Sequence, residues 1–437
     1  MSRLSLVPLA VAALAVLVAC SAPPATGGDP NGDPDDGLVC TAYVPLPLPQ
    51  FTTEPTTVPS GCYDLAGLVR VQAAVTIEAN TEIRATDAAA GIRVEGDGVL
   101  QALGTSARPV RFTAATATPG SWTGLRIGTD ADNVLRNTTV EFGGNWTNAF
   151  HLGPYATGVR VETDARIELD GVTIRQSATD PDRFSAGLFL QRGATMTMSG
   201  ANRFVENDGP GVHVTAPQIH LLDPDADYGA APDANGINVV LVNDDATSAP
   251  PVVADTRTWP ALNVPYRLER AVTIEGAGTV VTIAPGARFE AMADAGIRVT
   301  EGAGLRAVGG EAAGERIEFI GVVATAGAWP GFFINTANEA NEFRHTLIAH
   351  AGQDSLSFHP VPGRTIETAI RLGDGINEGI GGGQAAALTF FDNEVRASGG
   401  SGILLEHSAT VVTPSAPELP VQNLFVSIAT DAVDDIR

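Results

Sequence analysis

The sequence predicts an all-β solenoid, tandemly duplicated, that follows an export signal and a tether. From about residue 62 onward, short runs alternate apolar and polar residues, as in 75–77 and 110–113, and Gly, Asn or Asp separates the runs. This period of two indicates strands with one buried face. No stretch keeps a period of 3.6 residues, and the gaps between runs are too short for helical crossovers between parallel strands.

The second observation is a long internal repeat. Residues 91–94 read Gly-Ile-Arg-Val and return as 296–299, while Gly-Ser-Trp-Thr-Gly at 120–124 returns as Gly-Ala-Trp-Pro-Gly at 327–331. The offset barely changes between the two pairs (296 − 91 = 205 and 329 − 122 = 207). Repeats of this kind are typical of solenoids and propellers, in which neighbouring units share one core.

The choice of a solenoid over a sandwich or a propeller depends on residue types. Gly recurs directly before predicted strands, and a solenoid needs the positive φ that Gly permits at each sharp corner. Aromatic residues make up only 6% of the chain, which suits a narrow core of small aliphatic side chains. Asn207 precedes a predicted strand, where its side chain can bond neighbouring backbone at a tight corner.

The repeated motifs resemble those of a known family. Residues 91–94, 98–105 (Gly-Val-Leu-Gln-Ala-Leu-Gly-Thr), 109–113 (Pro-Val-Arg-Phe-Thr) and 122–125 (Trp-Thr-Gly-Leu) are similar to the repeats of right-handed parallel β-helix proteins exported by bacteria. The resemblance covers roughly residues 62–430 and implies the pectate-lyase-like superfamily fold. Proteins with that fold include pectate lyases, polygalacturonases, phage tailspikes and adhesins, so the resemblance specifies the fold more closely than the function.

The first residues predict export. Arg3 precedes an apolar run, and the small residues before Cys20 complete a secretory signal. Leu-Val-Ala-Cys at 17–20 resembles a bacterial lipobox, which implies lipid on the Cys20 thiol, and Ser21 resembles the pattern of lipoproteins sent to an outer membrane. We therefore expect an outer-membrane lipoprotein of the bacterial cell envelope, periplasmic or surface-facing, held to the membrane by its N-terminal lipid anchor.

Composition sets the domain boundaries. We predict a signal peptide at 1–19, a disordered acidic and Pro-rich tether at 20–60, and two β-helix repeat modules at 61–235 and 236–437. Whether one continuous helix crosses the Pro-rich junction between the modules is open at this point. The two remaining cysteines, Cys40 and Cys62, predict a disulfide, because an even pair in an exported protein is usually oxidised.

Charge excludes several classes of function. The formal net charge is −24 and all 26 basic residues are Arg. An acidic surface repels phosphate backbones, so we expect no nucleic-acid partner. A chain without Lys also has no Schiff-base or lysine-base chemistry.

Two acidic segments are candidate ligand sites. Alternating Asp223, Asp225 and Asp227 can surround a hard cation, although Tyr228 and Ala234 replace the Gly and Glu of an EF-hand loop. We expect no cofactor and interpret this loop as a plain acidic turn, with a bound calcium ion as the alternative. A segment that the second copy lacks contains three further candidates for a ligand-binding face, namely Asp180, Asp182 and Arg183.

No catalytic residue is predicted. The Asp244–Asp245 pair is similar to the paired aspartates of polygalacturonase-like enzymes, but their Gly-His-Gly and Asn-Thr-Asp segments do not occur. Trp122 and Trp329 suit either sugar stacking or packing, and their place in a structural repeat favours packing. We expect a non-catalytic cell-envelope protein with a structural or binding role, with a glycan or an envelope component as partner. The alternatives are a polysaccharide lyase or glycoside hydrolase acting on an acidic polysaccharide, and a surface adhesin.

Overall fold

The computed structural model describes residues 38–145, 155–178, 180, 184–243, 252–354, 366–373, 385–406 and 408–436. The predicted signal peptide, Cys20 and the first part of the predicted tether lie outside these residues. Within the described residues, no helix is both long enough and apolar enough to cross a membrane.

The regular secondary structure of the described chain consists almost entirely of short strands. The first twenty strands are β1 Val44–Pro45, β2 Phe51–Thr52, β3 Thr56–Val58, β4 Gly61–Leu65, β5 Leu68–Val71, β6 Ala74–Glu78, β7 Thr81–Ala85, β8 Gly91–Val94, β9 Val99–Leu103, β10 Val110–Ala114, β11 Leu125–Ile127, β12 Val134–Arg136, β13 Thr138–Glu141, β14 Tyr155–Val161, β15 Arg166–Asp170, β16 Thr173–Arg175, β17 Phe184–Leu190, β18 Thr195–Ser199, β19 Arg203–Val205 and β20 Pro210–Val214.

The second twenty follow the 3-10 helix Ala216–Leu221. They are β21 Ile237–Val242, β22 Val252–Val253, β23 Arg257–Trp259, β24 Tyr266–Leu268, β25 Val272–Ile274, β26 Val280–Ile283, β27 Arg288–Ala291, β28 Ile297–Val299, β29 Gly304–Val308, β30 Ile317–Gly321, β31 Phe332–Ile334, β32 Glu342–Arg344, β33 Thr346–Ala349, β34 Thr368–Leu372, β35 Ala386–Phe391, β36 Glu394–Arg396, β37 Ser401–Leu405, β38 Ala409–Thr413, β39 Leu424–Val426 and β40 Val433–Asp435. A 3-10 turn (Ala416–Glu418) and a short helix (Leu419–Gln422) precede β39.

The strands wind into a three-sided, right-handed parallel β-helix. In the first half, each coil contributes one strand to sheet 1 (β1-β4-β7-β10-β13-β16-β19), one to sheet 2 and one to sheet 3 (β3-β6-β9-β12-β15-β18). Sheet 2 has 14 strands and continues through both halves, in the order β2-β5-β8-β11-β14-β17-β20-β21-β24-β27-β30-β33-β36-β39. The second half completes its coils with sheet 4 (β22-β25-β28-β31-β34-β37-β40) and sheet 5 (β23-β26-β29-β32-β35-β38).

The duplication predicted from sequence is visible strand by strand, because each strand of the first copy has its counterpart twenty strands later. Thus β8 and β28 carry the repeated Gly-Ile-Arg-Val motif, yet β8 lies in sheet 2 and β28 in sheet 4. The junction causes this shift. After β20 the chain spends one turn in the 3-10 helix and residues 223–236, and it re-enters sheet 2 as β21. The second copy is therefore rotated by one side of the coil.

The interior confirms the alternation read from sequence. Inward residues such as Val75 and Ile77 are fully buried, while Thr76 between them is half-exposed. The second half adds a feature that composition did not predict, a column of stacked rings in which Phe289 lies 5.0 Å from Tyr266 and 5.1 Å from Phe319. Parallel register places residues of equal position one above another, so a few aromatic residues suffice to form this column.

Asparagines stack at one corner of the first copy. The Asn207 side-chain oxygen accepts a hydrogen bond from the Ser177 backbone N–H (3.1 Å), and the Asn235 oxygen accepts from the Asn207 N–H (2.9 Å). Asn393 and Asn423 repeat this arrangement in the second copy (3.0 Å). The expected corner role of Asn207 agrees with these bonds.

The predicted tether is too long at its C-terminal end. Its described part, residues 38–60, forms the first coil, in which β1, β2 and β3 pair with β4, β5 and β6. Its many prolines are compatible with pairing because a terminal strand needs hydrogen bonds on one side only. The repeat thus begins by Val44 and not at residue 61. The predicted disulfide between Cys40 and Cys62 is present and ties this coil to β4.

The corner asparagines can be tested by truncation. Asn207→Ala leaves the buried Ser177 N–H without its acceptor, so the free energy of unfolding should fall by about 2 kcal/mol. Urea unfolding followed by circular dichroism measures this loss. Thr57→Ala, at an exposed position of β3, is the control and should change stability little. Equal midpoints for the two variants would contradict a structural role for the asparagine stack.

Candidate functional site

The predicted calcium loop is described, and its carboxylates serve the loop itself. Asp227 accepts hydrogen bonds from the Gly229 N–H (3.0 Å) and the Asn263 side chain (2.9 Å), and it lies 3.6 Å from Arg203. Asp223 accepts from the Asp225 N–H (2.9 Å). In the part of the chain that the structure describes, no three His, Cys, Asp or Glu side chains are grouped to hold a metal. The geometry therefore gives the calcium prediction no support.

The second predicted site is only partly visible. Asp180 is half-buried, and its backbone N–H and carbonyl both bond the Ser185 hydroxyl at 2.9 Å. Asp182 and Arg183 lie outside the described residues, as do Asp244 and Asp245. The prediction of a ligand face at this segment stays a prediction.

The repeated tryptophans pack inside the coil, as their place in the motif indicated. Trp122 and Trp329 are each 1% exposed. Their indole N–H groups donate to the backbone carbonyls of Glu141 (2.8 Å) and Ala349 (2.9 Å). Neither ring is available to stack on a sugar.

The structure brings together four arginines that sequence reasoning had not grouped. Arg70, Arg93, Arg126 and Arg160 occupy the same register on four successive strands of sheet 2, namely β5, β8, β11 and β14. Each lies between two inward, buried residues, as Arg93 does between Ile92 and Val94. Alternation therefore directs all four side chains to the outer face. We call this column the arginine ladder.

Two glutamates hold the arginine ladder in pairs. Glu95 bridges the first pair, with contacts of 3.3 Å to Arg70 and 2.9 Å to Arg93. Glu162 bridges the second pair, since it contacts Arg126 closely and lies 3.3 Å from Arg160. Four guanidinium groups against two carboxylates give the ladder an excess of two positive charges among these six side chains. Such an excess stands out on a protein whose net charge is −24.

Accessibility changes along the arginine ladder. The Arg70 side chain is 26% exposed, whereas that of Arg160 is only 5% exposed. Arg160 lies over the Tyr155 ring at 3.6 Å and donates to the Gln191 side-chain oxygen (3.0 Å). Stacked rings then continue the column, with Phe189 5.3 Å from Tyr155 and 4.5 Å from His213. A ligand in solution can thus approach the Arg70 end more readily.

Burial shifts two pKa values on this face. Burial is the main cause that lowers the pKa of Arg93, and repulsion from the neighbouring Arg126 lowers it further. Burial also lowers the pKa of His213 to about 3, although a backbone hydrogen bond with Asn243 partly opposes it. An anion beside Arg93 and Arg126 would relieve their mutual repulsion.

Sheet 1 carries a second charged cluster, which spans two registers. Arg111 contacts Glu82 (3.2 Å) and the fully buried Glu141, and Arg175 donates to Glu141 (2.9 Å). Arg175 also lies 4.0 Å from Glu206, so two arginines face three carboxylates, and the cluster is best explained as structural. The comparison singles out the arginine ladder as the candidate site.

The corresponding column of the second copy contains only two arginines. The counterparts of the four ladder arginines share one register on sheet 4 and are Thr273, Arg298, Phe333 and Arg371. Arg371 is 2% exposed and donates twice to the fully buried Glu406, at 2.9 and 2.6 Å. Phe333 stands where the first copy has Arg126. Among the described residues, only the first copy therefore carries four arginines in one such column.

Sequence reasoning could have found the arginine ladder only in part. Each arginine occupies an outward position of a predicted strand, which alternation shows. However, the spacings between them are 23, 33 and 34 residues (93 − 70, 126 − 93 and 160 − 126), because loops of different length separate the strands. Backbone pairing between coils determines which residues share a register. When the sequence spacing is irregular, that register cannot be read from the sequence.

One comparison with known proteins agrees with this architecture. Residues 50–147 match the family model described as pectate-lyase like beta helix domain. The described strands form a parallel β-helix, and the matched residues are similar to the pectate-lyase-like type of that fold. The match covers under a quarter of the 437 residues and includes β5, β8 and β11, which carry the first three arginines of the ladder. No curated protein and no solved structure matches the chain significantly.

The buried His213 predicts acid sensitivity. Because its pKa is about 3 in the folded chain and about 6.5 when unfolded, only the unfolded chain binds its proton between these values. Lowering the pH from 7 to 4 should therefore remove about 3 kcal/mol of stability through this group. His213→Gln should lose that much less than the wild type, as measured by urea unfolding at each pH.

His345→Gln is the matched control, since His345 is only half-buried. It should keep the wild-type dependence of stability on pH. If His213→Gln and the wild type lost the same stability between pH 7 and 4, His213 would not be the acid-sensitive group.

Proposed function

We propose that this chain is a non-catalytic, lipid-anchored β-helix protein of the bacterial cell envelope that binds an acidic glycan along the arginine ladder. The observation that carries the proposal is the stack of four arginines on successive coils of an otherwise acidic protein. Guanidinium groups bind carboxylates and sulfates through paired, charge-assisted hydrogen bonds. A column of them suits a polymer that repeats its negative charge along its length.

The pairing of the ladder carboxylates supports a binding role over a catalytic one at this surface. The described carboxylates of the ladder, Glu95 and Glu162, are each engaged with two arginines. Neither is placed as a free acid or base for glycoside hydrolysis, which uses a pair of available carboxyl groups. Export and lipid attachment at Cys20 remain part of the proposal, as does an outer-membrane location.

A lyase acting on an acidic polysaccharide is the second candidate, and one observation favours it. The pKa of Arg93 is lowered by burial and by Arg126, and a general base works best when its pKa lies nearer the working pH. Elimination from a uronate polymer would produce an unsaturated sugar that absorbs ultraviolet light. A surface adhesin differs from the first proposal only in where the glycan resides.

The binding proposal predicts the effect of one substitution. Arg126→Gln should weaken binding of a polyuronate about tenfold or more, because a hydrogen bond to a charged group contributes about 1.5–3 kcal/mol. Isothermal titration with a polyuronate, a sulfated polysaccharide and a neutral glucan measures this. The neutral glucan should not bind to either protein.

Arg306→Gln is the matched control. Arg306 lies on sheet 5, is paired with Glu342 at 3.2 Å, and its removal changes the net charge equally. It should bind the polyuronate as the wild type does. If the wild type, Arg126→Gln and Arg306→Gln bound the polyuronate with equal affinity, the ladder would not be the binding site. If the protein released an unsaturated sugar, the lyase proposal would take the place of the binding proposal.

A further inference from the structure

A second surface lies at the other end of sheet 2, far along the chain from the arginine ladder. An open groove of about 800 Å³ runs beside β39, the last strand of that sheet in the described chain. We call it the C-terminal groove. Its acidic and basic lining residues are Glu311, Arg316, Glu318, His345, Asp392 and Glu394.

The C-terminal groove has an acidic wall. Four of those lining residues are carboxylates and one is a guanidinium, which leaves an excess of three negative charges. Arg316 and Arg396 both contact Glu394 and hold its pKa low, although burial opposes them. The chain from 397 to 437 contains five acidic residues, one His and, at its last position, one Arg. A ligand here would gain from positive charge.

The opposite wall is apolar. Val421 is 79% exposed and Leu424 is 56% exposed, and both line the C-terminal groove. Leu424 continues an outer column of sheet 2 in which Glu318, Leu347 and Glu394 precede it in register. Exposed apolar side chains beside a polar groove mark an interaction surface.

The edge of β39 offers backbone hydrogen bonds. The Leu424 N–H donates to Asn393, and the Val426 carbonyl accepts from Ala397, so these two residues face β36. Alternation turns the backbone groups of Phe425 and Ser427 to the other side, where the described chain places no further strand. An edge of this kind is a template for another strand.

At the opposite end of the β-helix, the edge of sheet 1 at β1 is blocked. The Leu46 N–H of the first coil donates to Asp64 in β4, so the neighbouring positions 45 and 47 face outward. Both are prolines, which have no N–H to donate. Proline at an edge prevents strand addition, and the β39 edge lacks this protection.

We propose that the β39 edge and the C-terminal groove together form a docking site for an extended basic segment of another polypeptide. The segment adds to sheet 2 as a strand. Its backbone bonds the edge, its apolar side chains cover Val421 and Leu424, and its cationic side chains extend past Leu424 toward Asp392 and Glu394, which lie at the level of β36, about two strand spacings away. A second copy of this chain docked by its strand β1 is a poorer occupant, because Pro45 and Pro47 cannot donate.

The test uses the purified full chain and a fluorescent heptapeptide of alternating arginine and valine, followed by anisotropy. Leu424→Arg places a positive charge on the edge and should weaken binding at least tenfold. Val323→Arg is the matched control, because Val323 is 59% exposed and lies outside the groove lining. It changes the net charge equally and should bind the peptide as the wild type does.

Two further peptides separate strand addition from simple charge attraction. A glutamate–valine peptide should not bind, and an arginine–proline peptide should bind at least tenfold more weakly than the arginine–valine peptide. The proposal would be overturned if Leu424→Arg and Val323→Arg bound the arginine–valine peptide equally well. It would also be overturned if the wild type bound the arginine–proline peptide as tightly as the arginine–valine peptide. Thermal unfolding by circular dichroism verifies that both variants are folded.

Discussion

Parallel pairing between successive coils is the constraint on which the rest of this structure depends. Every pair of named strands in the described chain is parallel, and each coil sits one strand spacing, about 4.8 Å, above the last. Side chains of equal position therefore form columns. Three such columns are described above: the buried asparagines, the stacked rings of the second half and the arginine ladder. In each column, the side chains interact because the same position repeats from one coil to the next.

The sequence was sufficient for the fold because the fold depends on local patterns. Alternation places Val75 and Ile77 inward, glycine and asparagine mark the corners, and the return of Gly-Ile-Arg-Val shows the duplication. The first coil was assigned to the tether because its prolines suggested disorder, yet Val58 and Thr52 are buried there. A terminal strand tolerates proline on its unpaired side, and only the pairing partners reveal which side that is.

The candidate site was harder to predict because it depends on register between distant residues. The acidic loop at Asp223–Asp227 looked promising in sequence, since spacing within a loop is visible there, but its carboxylates cap local N–H groups. Arg70 and Arg160 are ninety residues apart (160 − 70), and nothing local connects them. They share a column because each coil returns the chain to the same register. The number of residues per coil varies with loop length, so the sequence spacing does not show this.

The rotation at the junction has a consequence for how the two halves diverge. Without this rotation, each outer face of the second copy would continue the corresponding face of the first copy, and the two would form one continuous surface. Because the second copy is rotated by one side of the coil, corresponding faces of the two copies point in different directions. Each half is thus free to change independently, as Phe333 in place of Arg126 illustrates, and duplication here multiplies separate surfaces rather than lengthening one.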